Sequence, residues 1–315
     1  MTPPAMSLKP PSLAHDPSPR VAPLQLAVAP AEAYDQDIDA YLRSMESAPR
    51  RRPAPDYMAL YSKRGKPVTP ALRAVLVEWL ASLAPTLYFQ PRTLHLAVLC
   101  LDRFLAAARA RPVVGSVRKL VTITAAALLV AYKYEEVNRP DVEGIISETS
   151  RALESDGGGV TRDELLAAEV AVLNALRYDL GAPTVCTFLE HFLERLGVNG
   201  NDRGGSAAAR LASYVAELSL LDYGILRFRP SVVAASAILV ARMKARSPDD
   251  NPWGHEHERV TGYTEAELKE CAERLNRLHR NNAKDASLSG FEHMRKKYNI
   301  SNFNCVWTWP PLICI

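Results

Sequence analysis

From Thr69 onward the apolar residues recur at intervals of three and four rather than alternating, which predicts helices that each bury one face. Thr69-Pro70 supplies an N-cap and a proline at the first helical position, ahead of ALRAVLVEWLASL. Pro91 opens RTLHLAVLCLDRFLAAA in the same way. A helix containing Leu120 to Tyr134 follows, and Pro140 starts another. Thr161 and Glu164 form a capping box before LLAAEVAVLNAL. Five helices are therefore expected between Thr69 and Arg177, and no strand, because the β-branched residues fall at helical spacing among alanines and leucines.

After a connector from Tyr178 to Pro183 the scheme recurs, with VCTFLEHFLERL, AAARLASYVAELSLL, SVVAASAILVARMK, a helix capped by Thr264 and Glu267, and a last helix near Leu288 to Tyr298. ILVARMK (Ile238 to Lys244) echoes LLVAYKY (Leu128 to Tyr134), so two stacked helical domains of one design are expected. Asp156 to Gly159 and Asn199 to Gly205 read as polar loops. Residues 1–33, rich in proline, alanine and serine, read as a disordered leader. An amphipathic helix is expected over Asp35 to Ser47, ended by Pro49 and Arg50-Arg51-Arg52-Pro53. The expected division is thus leader 1–33, N-terminal helix region 34–58, first domain 59–181, second domain 182–300 and tail 301–315.

Composition narrows the classes. An apolar content of 48% is that of a globular chain, and a formal charge of +3 without a concentrated basic segment argues against nucleic acid. The five cysteines lie far apart without CxxC spacing, as reduced thiols would in a cytosolic or nuclear protein. No uncharged apolar run reaches about 18 residues, so no membrane association is expected.

Catalytic patterns are missing: there is no GxSxG, phosphate loop or GxGxxG after a strand. His255 and His257 read as solvent-exposed loop residues rather than metal ligands, and no metal or cofactor is expected. The adjacent Glu135 and Glu136 diverge by about 100° on a helix and make a poor acid–base pair. Charges inside apolar helices carry more information. Arg73 in LRAVLVEWL and Asp102 in LAVLCLDRFL are expected to form a structural salt bridge, since buried charges pair. Glu169 in LLAAEVAVL lacks an opposite charge on its own face, and Lys133 is its natural partner. The second copy of this helix carries Met243 where Lys133 stands and has no counterpart of the two glutamates, so the charged ending belongs to the first copy and favours a specific docking role.

The ordered motifs YLRSMESAPRRRPAPDYM, LRAVLVEWL, DRFL, AYKYEE, AEVAVLNALRYDLGAPT, YVAELSLLDY, RPSVVAASAILVAR, TGYTEAELKEC and MRKKYNISNFNCV closely resemble A-type cyclins, plant members above all, from about Tyr34 to the end. The resemblance implies an all-α fold of two tandem five-helix cyclin boxes behind a short N-terminal helix. It implies a non-enzymatic regulatory subunit, in nucleus and cytoplasm, that binds and activates a cyclin-dependent serine/threonine protein kinase in cell-cycle control. The alternative is a cyclin-fold interaction scaffold without kinase activation. Carried over by position, Lys133 and Glu169 match the family's kinase-contacting pair, Tyr134, Glu135 and Glu136 border that surface, and Tyr178 stands at its aromatic contact position. Arg73 and Asp102 match the family's internal salt bridge.

The family also docks RxL motifs of substrates and inhibitors in an apolar groove. Leu72, Val75, Leu76 and Trp79 match its floor, while Ser82 replaces its acidic residue and Val121 its glutamine, so RxL binding is expected to be weak. Three further departures stand out. Glu78 replaces an aspartate before Trp79, an insertion around Ala152 to Gly159 is expected to loop outward, and the leader holds no RxxL or KEN degradation motif.

Overall fold

The computed structural model describes residues 31–62, 68–108, 116–156, 158–198, 207–245 and 251–284. The expected leader up to residue 30, the helix near Leu288 and the tail lie outside the described residues. Among the described residues the secondary structure is helical without strands. The N-terminal helix α1 spans Ala31–Ser47, beginning a turn earlier than expected, and a short α2 covers Met58–Ser62. The first bundle follows as α3 (Pro70–Leu87), α4 (Pro91–Ala108), α5 (Val117–Glu135), α6 (Val142–Ala152) and α7 (Arg162–Leu176). The second comprises α8 (Val185–Arg195), α9 (Ala207–Ser219), α10 (Pro230–Ala245), α11 (His255–Thr261) and α12 (Glu265–Lys284).

The caps explain the boundaries. Thr69 accepts from Leu72 N with Pro70 at the head of α3, and Thr161 and Glu164 close a reciprocal capping box on α7. Thr264 and Glu267 do the same for α12. Each bundle is built around one helix that is apolar all round. In α5 every residue from Leu120 to Tyr132 is buried, packed by α4 and α7 with α3 and α6 beside them. In α10 the run Val233 to Ala241 is equally enclosed, by α8, α9 and α12. The echo between LLVAYKY and ILVARMK is thus the echo of two central helices.

Two expectations change. His255 and His257 are not loop residues but open α11, whose seven residues were too short for a periodic signal. His257 is buried with its ring 5.2 Å from that of Trp253, and α11 completes the second five-helix set at the place α6 occupies in the first. The insertion after α6 does not loop outward. Leu153 is buried, Glu154–Asp156 form a 3-10 turn, and Arg118 donates to Gly158 O at 2.9 Å and Gly159 O at 2.8 Å, holding the segment against the start of α5.

Polar ties join the parts. Glu46 of α1 accepts from Ser231 N (3.1 Å) and Ser231 Oγ (2.7 Å), so a buried carboxylate caps the first turn of α10. Arg43 donates to Tyr263 Oη and Thr261 O, and Arg52 donates to Leu226 O and Phe228 O. The N-terminal segment therefore clasps the second bundle although it precedes the first.

Candidate functional site

Lys133 lies in the last turn of α5, where the negative end of the helix dipole favours a cation. Its Nζ donates to Glu169 Oε1 of α7 at 2.7 Å. The pair is asymmetric: the Lys133 side chain is 45% exposed and that of Glu169 10%. Glu169 is anchored in the bundle wall and points its partner outward. An ammonium has three protons, so Lys133 retains donors for the main chain of another molecule.

Large apolar residues close in sequence to the two helix ends that carry the pair are left in solvent. Tyr134 and Tyr178 are exposed, as are Val137 and Val170. Tyr178 follows the left-handed C-cap Arg177 with its own φ at 58°, a backbone that turns its ring away from the bundle. Glu135 also reaches the surface; partial burial pushes its carboxyl above the usual range, Glu190 and Glu136 add to this, and Arg92 opposes it. Glu136 is committed within the chain: its Oε1 accepts from Gln90 N at 2.7 Å and Thr93 Oγ1 at 2.5 Å, capping α4. Of the three residues expected beside Lys133, Tyr134 and Glu135 face outward and Glu136 is structural.

Sequence reasoning expected α1 as a helix but missed its exposed apolar face. Tyr34, Ile38 and Tyr41 are all exposed and follow one another at i, i+4 and i+7, an apolar stripe legible from spacing alone. The helix runs toward the Lys133 surface: a Cβ at Gly181 would lie 3.2 Å from Tyr134 Oη and 3.7 Å from Met45 Cε, so the absent side chain lets α1 and the end of α5 meet there.

The expected substrate groove divides. Val75 is exposed and Leu72 and Trp79 are half-buried, but Leu76 and Val121 are core residues at 4% and 6% exposure. The i, i+3, i+4, i+7 face rotates through the boundary between core and solvent, leaving Leu72, Val75 and Trp79 beside Ser82. Ser82 Oγ donates back to Trp79 O at 2.7 Å, so its hydroxyl serves its own helix.

Arg73 and Asp102 lie behind these surfaces. Arg73 Nε donates to Asp102 Oδ1 and Nη2 to Oδ2, both at 2.7 Å, with the two side chains 2% and 1% exposed. Tyr57 Oη adds a third bond to Oδ1 at 2.8 Å. Burial alone lowers the Arg73 guanidinium, but Asp102 more than offsets this and raises it above its ordinary value. The remaining Nη1 donates to Leu220 O at 2.6 Å, just beyond α9.

Among the described residues no group of three or more His, Cys, Asp or Glu could hold a metal, and no helix is long and apolar enough to cross a membrane. Two five-helix bundles with matching central helices, an N-terminal helix clasping the second, and a surface ion pair on the first define a tandem helical-box protein built for contact. Its family follows from comparison. The model of the cyclin N-terminal domain matches residues 37–181 and that of the cyclin C-terminal domain residues 183–312. The chain is 38% identical over 282 residues to Cyclin-A3-2 of Oryza sativa subsp. japonica, covering 90% of this chain and 68% of that one. It is 35% identical over 279 residues to G2/mitotic-specific cyclin C13-1 of Daucus carota, covering 89% and 75%. The solved viral cyclin of herpesvirus saimiri shares the fold, with a TM-score of 0.58 at 18% identity over 78% of this chain and 95% of that one. The chain belongs to the cyclin family, as a relative of the plant A-type members, and cyclins are regulatory proteins rather than enzymes.

Proposed function

We propose that this chain is the regulatory subunit of a cyclin-dependent serine/threonine protein kinase and activates that kinase in cell-cycle control, in nucleus and cytoplasm. The observation that carries the reading is the Lys133–Glu169 pair, anchored on the buried side and open on the other, within a rim of exposed Tyr134, Glu135 and Tyr178. Such a surface binds a kinase helix through main-chain carbonyls met by Lys133 and apolar side chains met by the tyrosines. Binding energy spent on the active conformation of the kinase shifts its population and places its lysine–glutamate pair and activation loop for phosphoryl transfer. Similarity to a G2/mitotic cyclin of carrot supports the cell-cycle assignment. The exposed stripe of α1 offers a further apolar contact face on a helix whose Met45 approaches Gly181 beside Tyr134.

Co-purification with candidate cyclin-dependent kinases followed by phosphorylation of histone H1 tests the reading. Association with stimulated phosphorylation supports it. Association without stimulation makes the chain a scaffold, and no association with any of them removes the kinase reading. RxL-containing substrates or inhibitors remain a weak second partner class, supported by half-buried Leu72 and Trp79 and exposed Val75.

A further inference from the structure

Between the N-terminal segment and the C-terminal ends of α4 and α7 lies a cleft of about 370 Å³. Arg50, Arg52, Arg103 and Arg177 line it, and among its described lining residues Asp179 alone is acidic. That carboxylate is already used, since Arg51 Nε reaches Asp179 Oδ2 at 3.2 Å. Arg103 is 6% exposed, yet its Nη1 donates to a main-chain oxygen, Asp179 O, at 2.7 Å. Among the described residues no carboxylate forms an ion pair with any of the four arginines lining the cleft. Buried guanidinium groups are ordinarily paired with carboxylates, and among the described residues buried Arg103 has a main-chain oxygen instead, while Arg50 and Arg177 at the rim are exposed.

We propose that this cleft receives a phosphorylated serine or threonine side chain presented by a partner polypeptide. A phosphate carries close to two negative charges and three acceptor oxygens, which suit the planar, multiply donating guanidinium. Arg50, Arg103 and Arg177 grouped on one cleft, beside Arg52 whose Nη2 already donates to Leu226 O and Phe228 O, fit a single phosphate better than a polyanion, for which the formal charge of +3 gives no extended track. Small side chains of Ala54, Ala106, Ala107 and Ala175 border the arginines and let an extended main chain approach. Burial pulls the Arg103 guanidinium below its usual value, and Arg51 adds to this against Cys100 and Asp179, a direction that an incoming dianion opposes. The inference does not rest on the kinase reading, although exposed Tyr178 stands next to Arg177.

Fluorescence polarisation with a labelled peptide pool, one fixed phosphoserine flanked by randomised positions, tests it against the same pool with serine. The phosphorylated pool is expected to bind at least tenfold more tightly. The rim variant Arg50→Gln/Arg177→Gln and the buried variant Arg103→Gln should each remove at least fivefold of that affinity, with melting temperature monitored in parallel. Should Arg103→Gln fail to fold, the exposed rim variant decides alone. Equal binding of the two pools, no binding by either, or unchanged phosphopeptide binding by the rim variant overturns the proposal. Inorganic phosphate competing as well as the phosphopeptide, at equal concentration, would make the cleft a free-anion site and overturn the peptide assignment.

Discussion

Arg73 grips both carboxylate oxygens of Asp102 while its remaining Nη1 donates to Leu220 O in the second box, so one buried ion pair fastens α3 to α4 and one box to the other. A bridge inferred as a local partner for a buried charge is also an inter-box tie.

Asp102→Ala leaves the Arg73 guanidinium buried without its counter-ion and Tyr57 without its acceptor. The expected loss is about 3–5 kcal/mol, the range for breaking a buried pair from one side. Thermal denaturation should show a melting temperature far below the parent's, or insoluble protein. A parental melting curve would contradict the burial of this pair.

Lys133→Ala should behave differently. Its side chain is 45% exposed, so little packing is lost and the cost to the fold is that of leaving Glu169, 10% exposed, without its counter-ion, while a partner loses a charge-assisted contact worth about 2–5 kcal/mol on desolvation. Kinase association is expected to fall by more than tenfold, with a fall in melting temperature smaller than that of Asp102→Ala because Lys133 itself is part-exposed. Glu169→Ala should weaken association similarly, with a smaller effect on stability because it leaves behind an exposed ammonium rather than a buried carboxylate.

Glu136→Ala separates capping from docking. Loss of the bonds to Gln90 N and Thr93 Oγ1 should cost about 1 kcal/mol, the usual value of a helix cap, and leave kinase association close to the parent's. A loss of association as large as that of Lys133→Ala would reassign Glu136 to the interface.

RxL peptides are expected to bind at least tenfold more weakly than to a typical A-type cyclin, because Ser82 offers no charge to the arginine. Charge-assisted hydrogen bonds contribute about 1.5–3 kcal/mol each. Ser82→Glu should recover part of the difference in fluorescence polarisation. Val121 is buried, so Val121→Gln, which the sequence alone recommends as a second restoring change, should instead lower the melting temperature.

Acidification should destabilise the second box. Burial, and then Arg242, lowers the imidazole of His257; burial lowers that of His191, with Asp39 opposing. A histidine whose folded value is depressed binds its proton more readily when unfolded. The stability it permits is therefore complete above about 6.5 and is lost as pH falls below that toward the folded value. Melting temperature measured from pH 7.5 to 5.5 should decline, and His257→Leu should flatten the slope.

Much of this protein was legible in its sequence. Local rules act within a few residues: Thr69-Pro70, Thr161 with Glu164 and Thr264 with Glu267 start their helices because the cap bonds close over three positions. Burial cost alone named Arg73, Asp102 and Glu169 as charges needing partners, and their spacing in apolar helices was enough to see it. Other matters depended on where helices lie relative to one another. Leu76 and Val75 are neighbours in one apolar pattern, and only the packing of α3 sends one into the core and leaves the other in solvent. Glu135 and Glu136 are equivalent in sequence until α4 begins beside one of them and takes it as a cap. The arginines of the phosphate cleft come from a turn, a helix interior and a helix end that no spacing rule connects, because they converge only when the N-terminal segment folds back over α4 and α7. Caps and apolar periods are short-range and survive in one dimension; exposure and convergence are properties of packed surfaces and exist only in three.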